Sequence, residues 1–286
     1  MERRDFLKYS SLVSLSTLIP VWLLEACKKS KTMDMVAQPI YVTEGGFNTI
    51  LTILPILTGN IVLNAKQTSS VIIGGKSSNV FGFHDSILGP IIKANSGQTV
   101  NVSFTNHLAD KTNIHWHGVI VPPNMDGHPE NLINAGSSFN YTLPLNQRAG
   151  TSWYHPHPHG DTAHQVFMGL ASMFIINDAE EQALNLPSGN YELPLIIQDK
   201  RLYPDYSLNY SPSLPEVGSG YMGQYITVNG VNSPYHNVST KFYRLRIINA
   251  SNARVLNFAL SNNANFYIIG SDGGDRKSTR LNSSHW

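Results

Sequence analysis

Thr99-Val100-Asn101-Val102-Ser103-Phe104-Thr105-Asn106 is the stretch on which the fold turns. Val100, Val102 and Phe104 alternate with polar residues, so an extended chain here buries one face and wets the other. Gly97-Gln98 supplies the turn that leads into it. Similar short runs lie on both sides: Asn60 to Ala65, Val71 to Ile73, Phe139 to Leu143 and Ser172 to Asn177, with Gly, Pro and Asn between them. Many short strands separated by frequent turns predict an all-β sandwich or barrel. A second block begins near Tyr191, with Leu193–Gln198, Gln224–Asn229 and Tyr243–Asn249 as its strands. In the last of these Tyr243, Leu245 and Ile247 point one way and Arg244 and Arg246 the other. Asn265–Gly270 reads as a buried strand. No stretch has the period of a long amphipathic helix; Asp178–Leu186 is a short helix or linker turn, and a domain boundary is placed there.

The chain has 286 residues, enough for roughly two domains. Charged residues make up 14% and hydrophobic residues 41%, and the formal net charge is +1. That balance leaves no electrostatic footprint for nucleic acid. Arg3-Arg4-Asp5-Phe6-Leu7-Lys8 looks like a twin-arginine export motif, followed by an uncharged, largely apolar stretch to Leu24. Leu24-Glu25-Ala26-Cys27 resembles a lipobox, which makes Cys27 an acylation site and residues 1–27 a lipoprotein signal. Residues 28–46 read as a tether. Cys27 is the sole cysteine, so an internal disulfide is excluded. At the other end, residues 275–286 resemble one reading frame of a common sequencing adapter and match no expected partner strand, which predicts a non-native tail.

Five of the eleven histidines fall into two groups, Ile114-His115-Trp116-His117-Gly118 and Trp153-Tyr154-His155-Pro156-His157-Pro158-His159-Gly160. Residues i and i+2 of a strand project from one face, roughly 6.5–7 Å apart along the chain. Such a pair suits two ions a few ångströms apart better than a single ion. Two facing His-x-His segments would then gather four imidazoles around a small volume, with aromatic flanks as walls. Imidazole-only ligation suits copper, zinc, iron or nickel.

These motifs resemble the first domain of three-domain bacterial multicopper oxidases, such as copper efflux oxidases, spore-coat laccases and bilirubin oxidases. The likeness extends over Gly89–Ile92, Gly97–Asn106, Met168–Ala171, Leu195–Arg201, Val228–Gly230 and Arg244–Ser251. It implies tandem cupredoxin-like (plastocyanin-like) Greek-key β-sandwich domains, at 47–180 and, incomplete, at 188–274, with a third domain missing. It makes His115 a type 2 copper ligand and His117, His155 and His157 ligands of the type 3 pair. His159 becomes an outer neighbour of the site. Asp126, in Met125-Asp126-Gly127, falls where relatives carry an acidic residue that relays protons, although a turn aspartate before glycine is the plainer reading. His84, His107, His128, His164 and His236 are expected at the surface or in packing.

The resemblance implies dioxygen and a phenolic, pigment or Cu(I) substrate as partners, and a periplasmic or envelope location. It also implies a type 1 copper held by a cysteine. With Cys27 alone available, that site is expected outside these residues and the chain is expected to lack turnover. The same count removes two-domain copper nitrite reductases, which place that cysteine in the first domain. A copper-binding or copper-free envelope scaffold built on cupredoxin domains is the alternative.

Overall fold

The computed structural model describes residues 47–271 and, for the backbone, 274–279. The signal at 1–27 with Cys27, the tether at 28–46 and the chain end from 280 lie outside the described residues. The strands are β1 (Thr49–Ile50), β2 (Ile56–Leu57), β3 (Asn60–Ile73), β4 (Lys76–Gly82), β5 (Ile91–Asn95), β6 (Thr99–Asn106), β7 (His115–His117), β8 (Ser138–Pro144) and β9 (Gly150–His155). After helix α1 (Thr162–Met168) come β10 (Ser172–Asn177), helix α2 (Ala179–Ala183), β11 (Glu192–Lys200) and helix α3 (Leu214–Ser219). The series ends with β12 (Tyr225–Val228), β13 (Val231–Asn232), β14 (Pro234–Tyr235), β15 (Arg244–Asn249), β16 (Ile268–Ser271) and β17 (Gly274–Thr279).

Two sheets, ordered β4-β3-β6-β8 and β2-β5-β10-β9-β7, enclose the main core. Val100, Val102 and Phe104 from β6 meet Ile92, Trp116, Tyr154 and Phe174 from the opposite sheet in one buried cluster. The alternation in Thr99–Asn106 therefore has the predicted consequence, and the architecture is an all-β, cupredoxin-like sandwich. Parallel pairs (β5 with β10, β3 with β6) sit beside antiparallel ones (β9 with β10, β6 with β8), so the sheets are mixed.

A third sheet, β13-β12-β11-β15, is built from the second block. Its Ile196 joins Ile91, Met173 and Ile175 in a second cluster. That explains Met173-Phe174-Ile175-Ile176, an unbroken apolar run: β10 is covered on both faces, so neither face selects polar residues.

Three expectations are corrected and one left open is decided. Asn60–Ala65 and Val71–Ile73 are not separate strands. The polar stretch between them continues β3, whose first half pairs with β6 and whose second half pairs with β4, so backbone ladders carry it without apolar side chains. In β15 the side left open by the alternation is settled: Arg246 faces inward, 5% exposed, while Leu245 is 48% exposed. Arg246 is buried because Glu192 (2.7 Å) and Glu181 (2.9 Å) neutralise it and Thr151 Oγ accepts a further hydrogen bond. The stretch around Asn265–Gly270 is not buried either. Tyr267 is 64% exposed, for β16 pairs only with β17 in a two-stranded ribbon that no further layer covers among the described residues. And residues 275–279, read as matching no expected partner strand, belong to β17, which pairs with Ile268–Ser271, because a backbone ladder needs no side-chain pattern.

Asp178–Leu186 does contain a short helix: the Asp178 carboxylate caps α2 by accepting from the Glu181 N–H at 2.7 Å. Helix α1 had no sequence cue.

Candidate metal centre

β7 is a three-residue edge strand of the five-stranded sheet, antiparallel to β9, with His115 opposite His155, Trp116 opposite Tyr154 and His117 opposite Trp153. The period of two sends Trp116 and Tyr154 into the core and leaves His115, His117, His155 and Trp153 on the other face. Ile114 fixes the approach to β7: its side chain is buried and its N–H donates to Tyr141 Oη at 2.9 Å.

Candidate ligand nitrogens of His115, His117 and His155 lie within 4.8 Å of one another. The His115 ring centroid is 5.9 Å from His117 and 5.3 Å from both His155 and His157. The four imidazoles do converge, but not from two straight facing strands. Pro156 has no N–H to continue a ladder, β9 ends at His155, and His157 enters from the segment beyond. Its backbone N–H is held by Asn113 Oδ1 at 2.7 Å. His159 lies further along the same segment with its side chain exposed, so it is no lining residue. One tryptophan walls the site rather than two. Trp153 stacks on His155 at 4.1 Å and on His117 at 5.3 Å, whereas Trp116 packs in the core.

The rings are oriented through their Nδ1 atoms. His115 Nδ1 lies 2.9 Å from the Asp126 carbonyl oxygen, and His155 Nδ1 2.9 Å from that of Pro156. A carbonyl only accepts, so each Nδ1 carries the hydrogen and each Nε2 presents a bare lone pair. Burial, the largest influence, lowers the His115 pKa against the upward pull of Asp126. Burial first and the neighbouring imidazoles after it push His155 down to about 3, against the Pro156 hydrogen bond. Both rings are therefore neutral near pH 7, the form that binds a metal. His155 Nε2 and His157 Nδ1 are buried without a hydrogen-bond partner. Orphaned ring nitrogens beside further imidazoles fit a metal ion of the imidazole-binding group better than they fit a satisfied core.

Asp126 closes a 3-10 turn over Pro123–Met125. Its Oδ1 lies 3.3 Å from His115 Nδ1 and its Oδ2 3.7 Å from His128 Nε2. His128 is thus a neighbour of the site's carboxylate rather than an unrelated surface residue. His164 caps a different arrangement, bound to Asp161 at 3.0 Å and stacked on Tyr210 at 5.2 Å. Two residues had no signal in the sequence. Asn113 is buried and touches both histidine segments, and Gly127 (φ +67°) passes so close to Ile114 that a Cβ would stand 1.9 Å from its carbonyl oxygen.

The profile of the family described as multicopper oxidase matches residues 64–181. Multicopper oxidase mco of Staphylococcus haemolyticus is 38% identical over 223 residues, 77% of this chain and 49% of its own length. Cell division protein FtsP of Edwardsiella tarda is 32% identical over 246 residues, 82% of this chain and 51% of that protein. Among solved structures, a laccase from Pediococcus acidilactici matches with a TM-score of 0.75 and 34% identity, over 81% of this chain and 52% of that one. The laccase-like multi-copper oxidase CueO from Ochrobactrum sp. matches at 0.75 and 32%, over 79% and 52%. The chain spans about half the length of the curated relatives it matches. Sheet order, histidine placement and these likenesses agree: the chain belongs to the multicopper oxidase family.

Proposed function

We propose that this chain supplies the oxygen-side copper ligands of a laccase-like oxidase, which couples one-electron oxidation of a phenolic, pigment or metal-ion substrate to reduction of dioxygen to water. The observation that carries this reading is the convergence of His115, His117 and His155 within 4.8 Å, with His155 Nε2 buried and unpartnered. His115 would serve as the type 2 ligand, and His117, His155 and His157 as type 3 ligands. Bound copper would supply the one-electron redox chemistry there.

The chain's own groups do the rest. The Asp126 and Pro156 carbonyls hold Nδ1–H of His115 and His155 and so aim their Nε2 atoms. Trp153 keeps water from one side of His155 and His117. Asp126, whose carboxylate lies 3.3 Å from His115 and 3.7 Å from the half-exposed His128, would relay a proton between the site and solvent through water. Type 1 ligands are proposed to lie outside these 286 residues, because Cys27 is the one cysteine. The domain division at 47–180 and 188–274, export by the twin-arginine route to the periplasm or envelope, and lipidation of Cys27 belong to the same proposal.

Copper titration of the full chain, followed by oxygen-uptake measurements on a phenolic dye, tests it. Copper binding without steady uptake is expected; steady uptake would overturn the half-site assignment, and absence of copper binding would overturn the metal assignment. The likeness to FtsP favours a second reading, an envelope scaffold of cupredoxin type. A copper-free scaffold would retain no metal after dialysis.

A further inference from the structure

We infer that Asn113 is a positioning residue that sets the separation between His115 and His157, and through it the spacing of the metal ions they would hold. The geometry stands by itself; its consequence for metal ions rests on the function proposed above.

The Asn113 side chain is fully buried. Its Nδ2 donates to two carbonyls, those of Gly127 (2.8 Å) and His128 (3.0 Å), while its Oδ1 accepts from the His157 N–H (2.7 Å). Both amide hydrogens and one acceptor position are thus in use. The two ends of the brace reach different parts of the site. The Gly127–His128 strap also carries Asp126, whose carbonyl receives His115 Nδ1–H. The other end fixes the backbone of His157 just after Pro156 has ended the β9 ladder, where no strand neighbour can do so. His115 and His157 stand 5.3 Å apart, centroid to centroid, and no hydrogen bond joins their rings directly. The β7–β9 register sets His115 opposite His155, and beyond Pro156 the path His115–Asp126–Gly127–Asn113–His157 braces the remaining gap.

A merely structural buried asparagine is available for comparison. Asn106 has the same wiring, donating to the carbonyls of Asp110 (2.8 Å) and Ile133 (3.0 Å) and accepting from the Leu108 N–H (2.9 Å), but it touches neither histidine segment. Asn113→Asp keeps the shape and the acceptor, removes both donors, and sets an oxygen against two carbonyls.

The experiment compares crystal structures and Cu(II) titrations of the full chain with those of Asn113→Asp, Asn113→Ser and Asn106→Asp. Asn113→Ser serves if the aspartate variant does not fold. In metal-free crystals of the Asn113 variants the His115–His157 separation should exceed 5.3 Å, while Asn106→Asp keeps it despite a lowered Tm. Copper affinity should fall about tenfold in the Asn113 variants alone, and electron paramagnetic resonance should show isolated rather than coupled copper ions. An unchanged separation in both Asn113 variants, or equal displacement in Asn106→Asp, overturns the inference. Should the wild-type chain bind no copper, the proposed function fails, yet the metal-free separations still decide the role of Asn113.

Discussion

His115 and His155 are register partners across the β7–β9 pair, with ring centroids 5.3 Å apart and both Nδ1 atoms turned to backbone carbonyls. Their Nε2 atoms are left as acceptors on the same face of the sheet, and in His155 that atom is buried without a partner. An arrangement of this kind costs the metal-free fold something and is returned only when a ligand arrives.

Replacing His155 by Phe should separate those two effects. The aromatic ring can still stack on Trp153, and the unpartnered nitrogen is gone. The hydrogen bond to the Pro156 carbonyl is lost as well, so the two changes offset and metal-free stability, read from urea unfolding, should shift by no more than about 1 kcal/mol. Copper affinity should drop by more than about tenfold. A large loss of stability without loss of copper would contradict the assignment.

Gly127 and Gly136 both sit at positive φ, +67° and +73°, but only Gly127 has backbone within reach of a Cβ. Gly136→Ala should cost about 1 kcal/mol, the price of left-handed strain. Gly127→Ala adds a clash with the Ile114 carbonyl and should cost at least about 2 kcal/mol more, with weakened copper binding because Asp126 moves with the strap. Thermal unfolding of the two variants side by side gives the difference.

Arg246 and Glu192 form a buried pair, with side chains 4% and 8% exposed. Arg246→Leu should destabilise by about 2 kcal/mol, since it removes the charged hydrogen bonds to Glu192 and Glu181 while Lys93 and Arg244 still face the Glu192 carboxylate. Arg246→Leu with Glu192→Leu should cost less than the sum of the single changes. Strict additivity in denaturant unfolding would show that the pair is not coupled.

Lys200 is fully buried, its ammonium bound to the Phe167 carbonyl and over the Phe167 ring. Burial, the larger influence, pushes its pKa down to about 7 against the pull of Asp199. The folded state then binds fewer protons than the unfolded state between about pH 7 and pH 10.5. Stability from this group is complete above the upper limit and is lost as pH falls through the lower one. Lys200→Met should flatten that rise and stabilise the fold at pH 7, by up to about 5 kcal/mol minus the lost hydrogen bond. Urea midpoints at pH 7 and pH 9 measure both.

Much of this was legible in one dimension. Alternation at Val100, Val102 and Phe104 states which side of a strand is buried, and the i, i+2 spacing of His115 and His117 states that both face one way, because the period of a strand is a local property. Local spacing says nothing about what comes to lie over that face. At β15 the alternation therefore holds without saying which side is inner, and a carboxylate pair from α2 and β11 makes it the arginine side; at Trp116 and Trp153 the opposite fates follow from the β7–β9 register. His159 shares its motif with His155 and His157 yet is exposed, since Pro156 ends the strand and spacing loses its meaning beyond it. Asn113 and Gly127 carry no pattern at all: each matters through a contact with a segment that the chain closes only on folding. Periodicity is written residue by residue along the backbone, whereas the enclosure of the imidazoles arises from pairings between segments about forty residues apart, and only their packing brings those groups within ligand distance.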